Sequence, residues 1–267
     1  MLPSMAETTP PLDSSSPGTA AFGFREVPAE EKPSLVRGVF ESVADRYDLM
    51  NDLMSGGIHR LWRSTMVDWL APRAGQRFVD VAGGTGDIAF RILERLNAGG
   101  GTAASRVVVC DLTSAMLAVG RDRAIDRGIL SGLEWVNGDA ENLPFADRSF
   151  DAYTVAFGLR NLTHLDQALT EAYRVLRPGG RLLCLEFSHV ALPILDRLYD
   201  LYSFQVLPLL GQIVAHDRAA YQYLVESIRR FPGQDELAQR IAAAGFERAT
   251  FRNLTGGIAA LHSAWRL

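Results

Sequence analysis

The chain has 267 residues, 48% of them apolar and 22% charged, with a formal net charge of -4. That length and composition fit one sizeable globular core, and the acidic balance argues against a protein that coats nucleic acid, so no nucleic-acid partner is expected. No apolar run approaches the ~20 residues that span a bilayer, and the start lacks the basic and apolar regions of a secretory signal, so the expected place is cytoplasmic or at a membrane surface.

Residues 1–21 are rich in Pro, Ser, Thr and Ala and read as a disordered tail, because such a composition cannot offset its ordering entropy by burial. From 22 to 72 the apolar spacing turns helical, first through Leu35, Val39, Phe40 and Val43, then through Leu61, Trp62, Thr65, Met66 and Trp69. These residues are expected to form an N-terminal helical cap. The sole lysine, Lys32, falls in this segment ahead of the core, which removes P-loop and Schiff-base chemistry inside the fold.

Extended runs follow at Gln76–Val81, Arg106–Asp111, Leu133–Asn137, Phe150–Ala156 and Gly180–Phe187, alternating with helical stretches at 87–96, 114–127 and 166–176. Strands rich in Val and Leu that alternate with helices predict a doubly wound α/β fold, a mostly parallel sheet with helices on both faces. The two cysteines, Cys110 and Cys184, sit inside such strands and read as core thiols in a reducing compartment. An aromatic and apolar helical insertion is expected over 189–231, after the fifth strand, followed by a helix at 234–244 and a closing strand pair at 247–252 and 258–266. The stretch 192–214 reads either as a core or cap helix pair or as a surface for a greasy ligand. A two-strand return is foreign to an ordinary dinucleotide-binding sheet and is the usual ending of class I methyltransferases.

The strongest local signal is Asp80-Val81-Ala82-Gly83-Gly84-Thr85-Gly86-Asp87, placed where the first parallel strand gives way to a helix. Glycines there let the backbone approach a nucleotide closely. Gly84-Thr85-Gly86-Asp87-Ile88-Ala89 also satisfies the nicotinamide pattern G-x-G-x-x-A, so the motif alone does not choose a cofactor. The acidic residues at both ends of the loop suit the cationic amino group and sulfonium of S-adenosylmethionine better than a pyrophosphate. Asp111, 25 residues after Gly86, closes the next strand, where an acceptor can hold ribose hydroxyls. Asp139 and Ala140 follow the third strand and can meet an adenine ring. Each aspartate alone also reads as a helix cap or a turn; their joint occurrence at successive strand ends favours a nucleoside site. No Cys, His and Asp spacing resembles a metal site, and none is expected.

Phe22-Gly23-Phe24, the run from Val39 to Asn51, Ser55 to Arg63, Ala82 to Asp87, Phe157-Gly158-Leu159-Arg160-Asn161 and Arg177-Pro178-Gly179-Gly180 together closely resemble the ubiquinone/menaquinone biosynthesis C-methyltransferase family. The glycine loop and the Arg-Pro-Gly-Gly turn are generic to class I methyltransferases, whereas Tyr47 to Arg63 and Phe157 to Asn161 are particular to this family. The resemblance covers residues 22–267 and implies a Rossmann-like, seven-stranded methyltransferase domain using S-adenosylmethionine held through Gly84, Thr85, Gly86, Asp111, Asp139 and Ala140. It implies methylation of a ring carbon of a lipid-tailed quinol, either a polyprenyl methoxy-benzoquinol or a demethylmenaquinol. One departure is Ala156, where many relatives place a serine as a further cofactor contact.

Methylation at carbon needs an electron-rich ring, so a quinol hydroxyl must ionise and a ring proton must later leave. Arg160 is the candidate cation for that work, with a strand-end salt bridge as its plain alternative. Tyr47 and Asn161 are the next candidates for orienting ring oxygens, and His59, His216 and Asp217 are further polar candidates. A transient membrane-surface contact at the inner face of the membrane, a quinone-synthesis complex and a homodimer are open as partners. The competing readings are a class I methyltransferase for another small molecule or RNA, and a non-catalytic S-adenosylmethionine-binding assembly subunit.

Overall fold

The computed structural model describes residues 18–43, 51–52, 55–98, 105–189 and 218–267. The chain enters through a hairpin, β1 (Thr19–Phe22) and β2 (Arg25–Pro28), antiparallel with Thr19 opposite Pro28. Two helices follow, α1 (Lys32–Val43) and α2 (His59–Leu70). The hairpin moves two expected boundaries. Residues 19–21 belong to a strand and not to a disordered tail, and the first part of the expected helical cap, up to Pro28, is extended. Composition missed this because Ala20 and Ala21, although small, are buried together with Phe22, whose ring stacks on Tyr223 at 4.3 Å. Two small buried residues and one aromatic contact suffice to order a four-residue strand once a partner strand supplies the backbone hydrogen bonds.

The core sheet is built from β3 (Arg77–Val81), β4 (Arg106–Asp111), β5 (Leu133–Asn137), β6 (Phe150–Ala156), β7 (Leu176–Phe187), β8 (Glu247–Leu254) and β9 (Ala259–Trp265). Its seven strands run in the order β5-β4-β3-β6-β7-β9-β8. The pairs among β3 to β7 are all parallel, and β9 lies antiparallel to both its neighbours. Between these strands run α3 (Asp87–Ala98), α4 (Ser114–Asp126), α5 (Leu165–Val175), α6 (Arg218–Arg230) and α7 (Gln234–Ala243). The start of β7 is longer than expected: the Arg-Pro-Gly-Gly turn is taken into the strand as an irregularity, with Leu176 opposite Phe150 and Arg181 opposite Ala152.

Alternation along the strands divides the core into two layers, one on each face of the sheet. Phe78, Val107, Val109, Leu183 and Leu185 pack with α2, α3 and α6 on one face. Val79, Val81, Val108, Cys110, Leu182 and Cys184 pack with α5 and α7 on the other. Both cysteines are free and fully buried, and burial pushes the Cys110 thiol up to about 12 and the Cys184 thiol well above its ordinary value, as core thiols should behave. Strand order reverses between β3 and β6, and the carboxyl ends of these strands open the crevice where α/β sheets hold ligands. Among the described residues no helix is long and apolar enough to cross a membrane.

Candidate active site

A cleft of about 780 Å³, counted with its open mouth, lies at that reversal. Its floor comes from four strand ends: Ala82 and Gly84 after β3, Asp111 to Thr113 after β4, Gly138 to Glu141 after β5, and Phe157, Gly158 and Asn161 after β6. Pro33, Val36, Arg37 and Phe40 of α1 form the opposite wall. Of the expected cofactor residues, Gly84, Asp111, Asp139 and Ala140 therefore share one cleft, which is of drug-sized ligand dimensions.

Asp111 builds the cleft as well as lining it. Its Oδ2 accepts the Gly84 N–H at 2.8 Å and its Oδ1 the Thr113 N–H at 2.8 Å, so one carboxylate ties the glycine loop to the end of β4. Burial holds its pKa above the usual carboxylate range, against the pull of those N–H donors. Asp139 accepts the Glu141 N–H at 2.9 Å, which shapes the turn after β5. The turn role and the lining role thus coexist in both aspartates.

Thr85 and Gly86 stand elsewhere. Thr85 is buried and its Oγ1 accepts a hydrogen bond from Arg123 at 3.0 Å. It lines a second, smaller cleft of about 290 Å³ with Arg63, Asp80, Ala82, Gly83, Asp87, Ile88 and Ala156. Gly86 has φ +83° and packs against an aromatic ring: a Cβ there would sit 2.7 Å from Trp135 Cη2. Its place in the motif is dictated by packing under the loop. Ala82, which lines both clefts, adopts φ +50°, and Phe157 at the end of the neighbouring strand adopts φ +60°. Two non-glycine residues in the left-handed region at adjacent strand ends mark a site whose backbone is held by its surroundings.

Asp80 is fully buried at the end of β3. Thr154 donates to its Oδ1 at 2.8 Å, while its Oδ2 has no hydrogen-bond partner. Burial pushes its carboxyl up to about 7, against the opposing influence of the Thr154 hydrogen bond and the Arg63 charge.

Arg160 turns inward. Its guanidinium donates to Glu186 at 2.7 Å and to the Phe157 carbonyl at 2.6 Å, and both members of the ion pair are buried. Asn161 faces the cleft, and its Oδ1 accepts the Tyr223 hydroxyl at 3.1 Å. Tyr47, His216, Asp217 and the whole stretch 192–214 lie outside the described residues. His59 is buried with Nδ1 2.9 Å from Ser55 Oγ, and burial lowers its pKa to about 4, so it is a neutral structural imidazole at neutral pH.

Sequence reasoning missed four residues. Glu186 is a charge inside the apolar strand Cys184-Leu185-Glu186-Phe187, a signal that was readable. Arg63 is buried on α2, and nothing in the helical period marks it. Tyr223 reaches Asn161 from a distant helix. Lys32, placed ahead of the core by position, is buried at the start of α1, with Nζ donating to the Leu162 carbonyl at 2.5 Å and its pKa lowered to about 8 by burial. That bond pins the cap helix to the loop that walls the cleft.

The sequence model of the ubiE/COQ5 methyltransferase family matches residues 25–266. The chain belongs to that family. A ubiquinone/menaquinone biosynthesis C-methyltransferase from Paracoccus denitrificans is 59% identical over 251 residues, covering 94% of this chain and 98% of its own. One from Dinoroseobacter shibae is 56% identical, covering 96% of this chain and 100% of its own. Among solved structures, a SAM-dependent methyltransferase from Thermotoga maritima superposes with a TM-score of 0.61 at 20% identity, over 87% of this chain and all of that one. Another from Aquifex aeolicus gives 0.59 at 14% identity, over 82% and 97%. At such identities the structures speak for the fold, which is that of class I methyltransferases. The residues at the strand ends fit S-adenosylmethionine: Asp80 carries a buried oxygen without a partner, and a Cβ on Gly83 would fill the space 2.9 Å from it.

Proposed function

We propose that this chain is an S-adenosylmethionine-dependent C-methyltransferase that methylates the ring of a polyprenylated quinol, 2-polyprenyl-6-methoxy-1,4-benzoquinol or demethylmenaquinol or both, in ubiquinone and menaquinone synthesis. The observation that carries the reading is near-full-length identity of 56–59% to relatives named for that reaction. When bound, the cofactor supplies an electrophilic methyl group. The chain's own residues then have three tasks: to hold the adenosyl group through Asp111, Asp139, Ala140 and the backbone of Gly84, to keep water out, and to favour the ionised quinol.

Asn161 is the proposed contact with a ring oxygen, held in place by Tyr223. Arg160, next in the chain, is proposed to contribute positive charge from behind it, its side chain fixed by Glu186, and Tyr47 is proposed to complete the ring site. The stretch 192–214 is proposed to receive the isoprenoid tail. Exposed Ile58 and Leu61 at the start of α2 and Phe24 at the hairpin turn support a transient contact with the inner face of the membrane; a quinone-synthesis complex and a homodimer remain proposals beside it. Mass analysis of quinone intermediates in a strain lacking this protein tests the reaction. A species one methyl lighter with an identified head group is expected. An unchanged quinone profile, with labelled methyl found in RNA or another small molecule, would overturn it.

A further inference from the structure

A side-chain amide can present either an acceptor or a donor to a ligand, and its neighbours decide which. Asn161 closes the single helical turn Leu159–Asn161 after β6 and lines the main cleft. Its Nδ2 lies 3.4 Å from the Phe157 carbonyl, and its Oδ1 lies 3.1 Å from the Tyr223 hydroxyl. The carbonyl can only accept, so it fixes the nitrogen of the amide on its own side. The reversed amide would set two acceptors against each other and lose that hydrogen bond. Phe157 is itself held: its N–H bonds Leu185 in β7 at 2.8 Å, its φ is +60°, and its carbonyl also takes the Arg160 guanidinium at 2.6 Å. With the oxygen of Asn161 turned to Tyr223, the hydroxyl has to donate. Burial pushes that hydroxyl above its ordinary value, so Tyr223 keeps the proton it donates. Both bonds spend the amide oxygen and one N–H. The second Nδ2–H has no partner among the described residues.

We propose that Tyr223 is a positioning residue that fixes Asn161 as a hydrogen-bond donor, so that the remaining amide N–H meets the ionised ring oxygen of the quinol. This rests on the ring contact of Asn161 proposed above and gives it a polarity: Asn161 stabilises the phenolate and does not accept the hydroxyl proton. A donor aimed at an oxygen that gains charge is worth most when it is oriented beforehand. The hairpin braces the face of α6 that does this. Phe22 stacks on the Tyr223 ring at 4.3 Å, and Glu226, one turn further on, accepts the Phe24 N–H at 2.9 Å. The strand pair at the start of the chain thereby supports the ring site from behind.

The test is single-turnover methyl transfer by the full chain, from labelled S-adenosylmethionine to short-tailed benzoquinol and naphthoquinol acceptors kept reduced. Tyr223→Phe removes the hydroxyl and keeps the stacked ring; it should slow transfer about 3- to 10-fold, the size of one hydrogen bond, and leave S-adenosylhomocysteine affinity within about 2-fold. Asn161→Ala should slow transfer about 100-fold, as loss of a donor to a developing oxyanion does. In the Asn161→Ala background Tyr223→Phe should cost less than about 2-fold more, because the two residues act as one unit. Asn161→Asp still accepts from Tyr223 but offers the ring only acceptors, so it should be slower than Asn161→Ala. An unchanged rate in Tyr223→Phe, or the same loss with and without Asn161, overturns the proposal. An Asn161→Asp protein faster than Asn161→Ala overturns it as well, since Asn161 would then accept a proton from the ring hydroxyl, and this comparison decides the polarity even if Tyr223→Phe folds poorly. If the unmodified protein methylates neither acceptor, the quinol reading itself falls and the proposal with it.

Discussion

Replacing Asp80 by Asn should stabilise the ligand-free protein and cripple cofactor binding. The carboxyl rises from 3.8 to about 7 because it is buried with only one hydrogen bond, from Thr154. At about 1.36 kcal/mol per pKa unit, ionising it inside the fold costs roughly 4 kcal/mol relative to the unfolded chain. Asn removes that cost and keeps an oxygen for the Thr154 hydroxyl, but it leaves an amide N–H without an acceptor, a penalty of about 1–3 kcal/mol. The net expectation is a gain of roughly 1–3 kcal/mol above pH 7, or a rise of several degrees in Tm for a domain of this size. The sign follows from proton linkage. Between pH 3.8 and about 7 the folded state holds a proton that the unfolded state has lost, so wild-type stability from this group falls as pH rises through that window. The advantage of Asn should therefore be absent below pH 4, grow across the window and level off above pH 7. Arg63, Asp87 and Asp111 also bear on this carboxyl and are unchanged in the variant. Differential scanning fluorimetry of ligand-free protein from pH 4 to 8 reads the stability, and calorimetry with S-adenosylhomocysteine at pH 8 reads the binding, where a loss of about 10-fold or more is expected. A ligand-free Asp80→Asn protein that melts below wild type at pH 8 would refute the reasoning, because the carboxylate would then be a net stabilising partner of Arg63.

Arg160→Met should lower stability by about 3–5 kcal/mol by stranding the buried Glu186, and adding Glu186→Gln should restore much of it; chemical denaturation of both variants checks this. Activity of the folded double variant then separates structure from chemistry, since retained turnover would assign Arg160 to the ion pair alone. Gly86→Ala should destabilise by more than about 1 kcal/mol through its positive φ and the Trp135 clash, and a second change, Trp135→Leu, should relieve only the clash, as read by Tm. Deleting residues 1–17 should leave Tm unchanged within error, whereas deleting 1–28 should lower it by several degrees, because Tyr223 loses the Phe22 ring stacked on it.

The sheet was legible because its strands are nearly continuous apolar runs bounded by glycine or acidic turns. Arg106–Asp111, Leu133–Asn137 and Phe150–Ala156 stand in the fold with those limits. The N-terminal region was not, since its contacts are made by residues that pattern arguments discount: two alanines in β1 and a lysine at the start of α1. On α2 the apolar face was drawn through Leu61, which is 68% exposed, while His59 and Arg63 point inward. A helix that buries polar side chains departs from the hydrophobic period, and the period alone cannot point to them.

The same logic separates the legible part of the site from the hidden part. Asp111, Asp139 and Ala140 reach one cleft because strand ends in a parallel sheet are brought together by topology, so position along the strand is enough to find them. Arg63, Asp80 and Ala82 reach theirs through features that are locally unfavourable. Asp80 is a carboxylate without enough donors, Arg63 is a guanidinium with an idle N–H, and Ala82 is an alanine at φ +50°. The backbone strain alone is of order 1–3 kcal/mol, and each unsatisfied buried group adds a comparable cost. Such residues persist when a ligand supplies what the fold withholds. A cationic group of a ligand beside Asp80 Oδ2 would satisfy an orphaned buried atom, so the bound state would gain stability where the free state is poorest.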